Sequence, residues 1–162
     1  MLIPLTEHYL DTILVWRNQS EVRHFSFNDT IISPEEHYRW WERIKTDITK
    51  QWMVYLHDGK AAGVVNYYDI IEYKEAFWGF YFSDQFADYE KLKLWFKIEH
   101  EAITFAFDTM KLQKLKCEVF KMNKAALIMH KRIGYQKIDT YEHVRGTVQV
   151  LELDKYQMKS KV

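Results

Sequence analysis

A chain of 162 residues, 48% apolar and 17% aromatic, is long enough for one domain with a substantial core and too apolar to stay disordered. Its 23 basic and 23 acidic side chains cancel, which removes the overall field that would draw nucleic acid or an anionic membrane to it. Cys117 is the single cysteine, so a disulfide framework and a cysteine-based zinc site are excluded, and no metal is expected.

The segment "MLIPLTEHYLD" lacks the basic start and apolar core of a signal peptide, and no run approaches the roughly 18 apolar residues of a membrane span. The expectation is a cytoplasmic protein of one domain, residues 1–162, with neither nucleic acid nor membrane as partner. An aromatic-rich surface leaves a homodimer open.

In chain order, residues 2–5 read as a short strand and Thr6 to about Asn18 as a helix. "QSEVRHFSFNDT" is polar and aromatic together and reads as a functional loop. Ser33-Pro34-Glu35-Glu36 starts the next helix: Ser33 can cap, Pro34 suits the first turn, and Glu36 completes a capping box. That helix sets His37, Trp41 and Ile44 on one face.

"QWMVYLHDGKAAGVVNYYDI" reads as a hairpin about Asp58-Gly59, a pair that tolerates the positive φ of a tight turn. "EAFWGFYFSD" is a further strand, where Gly79 marks a bulge or a close approach. Residues 88–110 form a long helix, followed by a strand at 114–120 that carries Leu115, Cys117 and Val119 on one face. A helix at 123–133 comes next, with Asn123 at its N-cap and Gly134 supplying the left-handed conformation at its end. Strands at about 135–144 and 147–153 close the chain. The order βααβββαβαββ mixes strands and helices without strict alternation, which predicts an α/β (α+β) fold whose mixed sheet has helices on both faces.

This order, together with "CEVFKMNKAALIMHKRIGY", resembles the Gcn5-related N-acetyltransferase (GNAT) superfamily over nearly the whole chain. The resemblance rests on Asn123, Ala126, Gly134 and Tyr135 after the late strand, and on "FWGFYFS". It implies a twisted, mostly antiparallel sheet of about seven strands and acetyl-CoA as co-substrate. It places Asn123 and Ala126 at the pantetheine arm and the amides of Phe80, Tyr81 and Phe82 at the thioester oxygen. Within the superfamily, "WRN", "VR" and "SPEEHYRWW" are similar to enzymes that acetylate the 4-amino group of a UDP-linked deoxyamino sugar on the pseudaminic acid route. The implied acceptor contacts are Arg17, Arg23 and His37. Arginine's planar fork suits diphosphate oxygens, and aromatic side chains such as Trp41 could stack on a uracil or sugar face.

Acetyl transfer needs a neutral amine near the thioester, stabilisation of the developing oxyanion and a proton for the departing thiolate. Where many family members have a tyrosine as that acid, this chain has His130, and an imidazole with an ordinary pKa of about 6.5 can fill the role. Tyr81 is a second candidate. No convincing general base emerges; Asp69, Glu72 and Glu75 lie near the right strands.

One family feature is missing. The glycine-containing loop that holds the coenzyme A pyrophosphate should precede the long helix, yet no glycine lies between Phe80 and Ile133. In its place stands "SDQFADYEKLKLWF", with Lys91 and Lys93 as candidate side-chain replacements. Two further readings follow: an acetyltransferase of ribosomal type acting on a protein or small amine, and a degenerate, non-catalytic member.

Overall fold

A computed structural model describes residues 1–159. Seven strands form one sheet in the order β1-β2-β3-β4-β5-β7-β6: β1 (Leu2–Pro4), β2 (Gln51–His57), β3 (Lys60–Ile71), β4 (Glu75–Phe82), β5 (Lys114–Phe120), β6 (Gln136–His143) and β7 (Gly146–Asp154). Every neighbouring pair is antiparallel except β4 and β5. The hairpin turn falls at Asp58 and Gly59, both with positive φ, as the Asp-Gly pair requires.

Successive strand residues point to opposite faces, and the sequence uses both. On one face Met53, Tyr55, Val65 and Tyr67 pack with Leu94, Ile98 and Ala102 of α4 (Asp88–Thr104). On the other, Val54 and Val64 pack with Leu10, Ile13 and Trp16 of α1 (Leu10–Arg17). Leu10, Ile13, Ile98 and Leu115 are fully buried, and each such side chain contributes about 1.5–3 kcal/mol of transfer free energy. Gly63 lets α4 sit tight on the sheet. A Cβ there would stand 3.0 Å from Ile98 Cδ1 and 3.1 Å from both Phe82 Cβ and the Tyr81 carbonyl oxygen.

The stretch after α1 is not all loop: it holds the short α2 (Ser20–His24). α3 (Pro34–Ile44) begins with the expected capping box, Ser33 Oγ accepting from Glu36 N–H and Glu36 accepting from Ser33 N–H. α4 ends at Thr104 and continues as a π turn, Phe105–Thr109. Tyr67 there donates to the Ala102 carbonyl at 2.7 Å. Gly79 carries no bulge: it stays in register with Asn66, and the β3–β4 irregularity lies between Tyr68 and Ile71, beside the positive φ of Asp69. Gly79 instead marks a close approach, since a Cβ would come within 3.3 Å of Asn66 Oδ1. The remaining helices are α5 (Lys124–Ile133) and α6 (Lys155–Lys159).

Candidate active site

The site begins where two strands part. β4 and β5 pair only from Glu75↔Lys114 to Phe77↔Lys116, although β4 runs on to Phe82 and β5 to Phe120. The gap opens into a cavity of about 380 Å³ that also reaches α5 and the loop around α2. Ser83 N–H bonds the Ala62 carbonyl on the β3 side. Antiparallel alternation then turns the N–H groups of Phe80 and Phe82 the other way, into the gap beyond the last β4–β5 pair. A stack of rings lines this wall: Trp78 on Phe80 at 5.4 Å, Phe80 on Phe82 at 6.1 Å, and Trp95 edge-on to Phe80 at 5.3 Å.

α5 supplies another wall through Asn123, Ala126 and His130, spaced to share one helical face. Asn123 Oδ1 caps the helix by accepting from Ala126 N–H at 3.2 Å. Gly134 ends it with φ of 121°. His130 Nδ1 lies 2.5 Å from Glu99 Oε1, and Trp95 Nε1 donates to Glu99 Oε2 at 2.9 Å.

Across the gap, Glu118 of β5 accepts from the Tyr68 and Tyr141 hydroxyls, both at 2.7 Å. Burial and the Glu118 charge push the Tyr68 phenol well up, and burial with the same carboxylate raises Tyr141 to about 12. Both phenols therefore stay protonated and act as donors to Glu118. Glu118 was not singled out from sequence. Its signal was weak: it alternates with Cys117 and Val119, and so belongs to the face away from the α4 core.

The cavity brings together Arg17, Phe80, Tyr81, Phe82, Lys91, Asn123, Ala126 and His130. Arg17 Nη2 donates to the Asn28 carbonyl at 2.7 Å, and its buried Nη1 has no hydrogen-bond partner among the described residues. Burial depresses the Arg17 guanidinium, while Tyr81 opposes that shift and Arg23 adds to it. Burial raises Tyr81 in turn, with the Arg17 charge opposing. A phenol held up in this way is a poor proton donor at neutral pH.

Four expected contacts lie elsewhere. Arg23 donates to the carbonyls of Asn18 and Asp29, so it folds the loop and does not face the cavity. His37 is buried between α3 and α1, with Nε2 2.9 Å from the Leu10 carbonyl and its ring stacked on Trp40. Trp41 packs against the α1 core. Lys93 is exposed and outside the lining. Arg23 and His37 thus serve backbone carbonyls and Trp41 serves packing.

The start of α4 fits a pyrophosphate less well than the gap fits a pantetheine arm. The gap offers unpaired strand edges and an apolar wall. The helix start offers the orphan amides of any first turn, but Asp84, Asp88 and Glu90 surround them, and Lys91 is engaged with Asp88 at 3.3 Å.

A sheet split between two parallel strands, with a helix N-terminus beside the split and a loop-bordered cavity opening from it, is the architecture of an acyl-CoA-dependent transferase. The family model described as Acetyltransferase (GNAT) domain matches residues 1–136. The chain belongs to that family and is an acetyl-CoA-dependent N-acetyltransferase.

Among characterised proteins, the chain is similar to the acetyltransferase PseH of Campylobacter jejuni subsp. jejuni serotype O:23/36 (strain 81-176), 26% identical over 128 residues, covering 79% of this chain and 77% of that protein. Its fold is similar to that of spermidine N-acetyltransferase from Vibrio cholerae in complex with CoA and spermine. The TM-score is 0.83 at 14% identity, covering 98% of this chain and 97% of that one. It is also similar to Campylobacter jejuni PseH in complex with acetyl coenzyme A, with TM-score 0.71 at 20% identity, covering 96% and 99%. No helix among the described residues is long and apolar enough to cross a membrane.

Proposed function

We infer that this enzyme acetylates the amino group of a nucleotide-linked amino sugar, a UDP-linked 4-amino deoxy sugar of the pseudaminic acid type being the favoured acceptor. The observation that carries this reading is Arg17: a guanidinium in the cavity wall with one donor committed to the loop and another unpaired. Diphosphate oxygens suit that spare donor. The partly exposed rings of Phe25 and Phe27 line the same end and could stack on a base or sugar. The similarity to PseH supports the same acceptor class.

In this reading Glu118 takes the proton from the attacking amine, with its two tyrosine donors holding the carboxylate in place. The Phe80 and Phe82 amides donate to the thioester oxygen as negative charge builds on it. His130 delivers a proton to the departing sulfur. Acetyl-CoA supplies the acyl group, and no covalent intermediate on the protein is needed. Lys91 and the first-turn amides of α4 would meet the pyrophosphate.

The carboxylates of Glu21, Asp84 and Glu118 in the lining favour a second reading, a small polycationic amine such as a polyamine. The Arg17→Ala variant separates the two. It should cut kcat/KM for a UDP-linked amino sugar by roughly tenfold or more and leave a polyamine acceptor unchanged or improved. An unchanged rate on the sugar nucleotide would remove Arg17 from its proposed role.

A further inference from the structure

Glu99 is the one acidic side chain among the described residues that is wholly buried, at 0% exposure. It projects from a helix whose neighbouring inward positions, Ile98 and Ala102, are apolar. An ionised carboxylate out of water is costly unless it is paired and hydrogen-bonded. The described residues place no lysine or arginine within 4 Å of it; its one cationic-capable partner is His130. Trp95 satisfies the other oxygen as a neutral donor. Cys117, Trp78 and Tyr135 also stand around the pair, Trp78 and Tyr135 by ring contact with His130. Burial with the Glu99 charge lifts the Cys117 thiol and the Tyr135 phenol well above their ordinary values, so neither supplies a competing charge. Tyr135 is occupied in any case, accepting from Trp78 Nε1 at 2.8 Å.

We propose that Glu99 is a positioning residue that fixes the proton on His130 Nδ1 and so presents Nε2 to the cavity as the atom that exchanges protons with the reaction. A carboxylate on one imidazole nitrogen sets which ring nitrogen carries the proton. During turnover the imidazolium Nε2–H gives its proton to the sulfur as the C–S bond breaks, leaving neutral His130 with Nδ1–H still on Glu99. The proton released by the acetylated amine then restores the cation by way of Glu118 and solvent. The donor step rests on the acetyltransferase reading; the Glu99–His130 pairing does not.

The test is nitrogen-15 NMR of the histidine rings in the full chain without substrate, comparing wild type, Glu99→Gln and His130→Gln; the last assigns the resonance. In wild type the His130 ring is expected with Nδ1 protonated. In Glu99→Gln it should relax to the Nε2–H form that free imidazole prefers. Wild-type His130 with a bare Nδ1, or a signal that Glu99→Gln leaves in place, overturns the proposal. The wild-type spectrum alone decides this if the variant does not fold.

Steady-state rates form a second arm. Glu99→Gln should lower kcat on the order of 10²-fold with little change in KM for acetyl-CoA. Unchanged kcat overturns the positioning role. If instead the NMR result holds and no amine is acetylated by wild type, the pairing stands and the reading of the reaction fails.

Discussion

Arg145 Nη2 and Asp29 Oδ2 pair at 3.2 Å, joining the turn between β6 and β7 to the loop that follows α2. The same guanidinium donates to the carbonyls of Ser26, Arg23 and His24 and lies over the Phe120 ring. Ser26 and its neighbours Phe25 and Phe27 line the cavity. A distant hairpin therefore sets the shape of the acceptor end, with Phe27 packed between Phe120 and His143.

Arg145→Ala should free this loop without touching the gap between β4 and β5. KM for the amine acceptor should rise by roughly three- to tenfold, and calorimetric binding of acetyl-CoA should stay within error. Arg145→Lys should behave like the alanine variant, since an ammonium reproduces neither the planar fork nor its several carbonyl contacts.

Glu118 is the carboxylate that faces the cavity with both oxygens held by phenols. Glu118→Gln should lower kcat on the order of 10²-fold, the usual worth of a general base. Tyr68→Phe should cost less, because the second phenol still holds the carboxylate. Stopped or steady-state rates of CoA release measure both; a Glu118→Gln enzyme with full kcat would remove Glu118 from proton transfer.

His37 gives a stability prediction. Burial depresses its pKa below the ordinary 6.5, against the smaller opposing pull of the Leu10 carbonyl and Asp11. Below 6.5 the unfolded chain then binds more protons than the folded one, so stability present above that pH is lost as pH falls through the folded value. Urea midpoints should drop on going from pH 7.5 to about pH 5.5, and His37→Gln should show a shallower drop. Acetyl transfer per folded molecule should be unchanged, as His37 is remote from the cavity lining.

Gly63→Ala forces a methyl against Ile98, Phe82 and the Tyr81 backbone. Overpacking of this kind costs typically about 1–3 kcal/mol. The thermal midpoint should fall by several degrees. An unshifted midpoint would mean that α4 can move off the sheet at no cost.

Local signals in the sequence carried most of the fold. Ser33 and Glu36 announce a helix start, Asp58-Gly59 a hairpin, and Asn123 with Gly134 the two ends of α5, because each depends on a few neighbouring residues. The α5 wall of the site was legible for the same reason, since a helix fixes the spacing of Asn123, Ala126 and His130. The other walls were not. Whether Arg23 and His37 meet a ligand or a backbone carbonyl depends on where the 18–29 loop and α1 come to rest. Glu99 and His130 meet only once α4 and α5 pack. The clue to Glu99 was an acidic residue between Ile98 and Ala102 on an apolar stripe, a position a solvated carboxylate would avoid.

The most direct measurement is the rate of CoA release from acetyl-CoA by the purified protein, with a UDP-linked 4-amino deoxy sugar and spermidine as parallel acceptors. Saturable release with the sugar nucleotide, at a KM within about 1 μM to 1 mM and lost in Glu118→Gln, is the expected result. Turnover of spermidine alone would assign the cavity to a polyamine. Release with neither amine, together with no calorimetric binding of acetyl-CoA at millimolar concentration, would contradict transfer through the β4–β5 gap altogether.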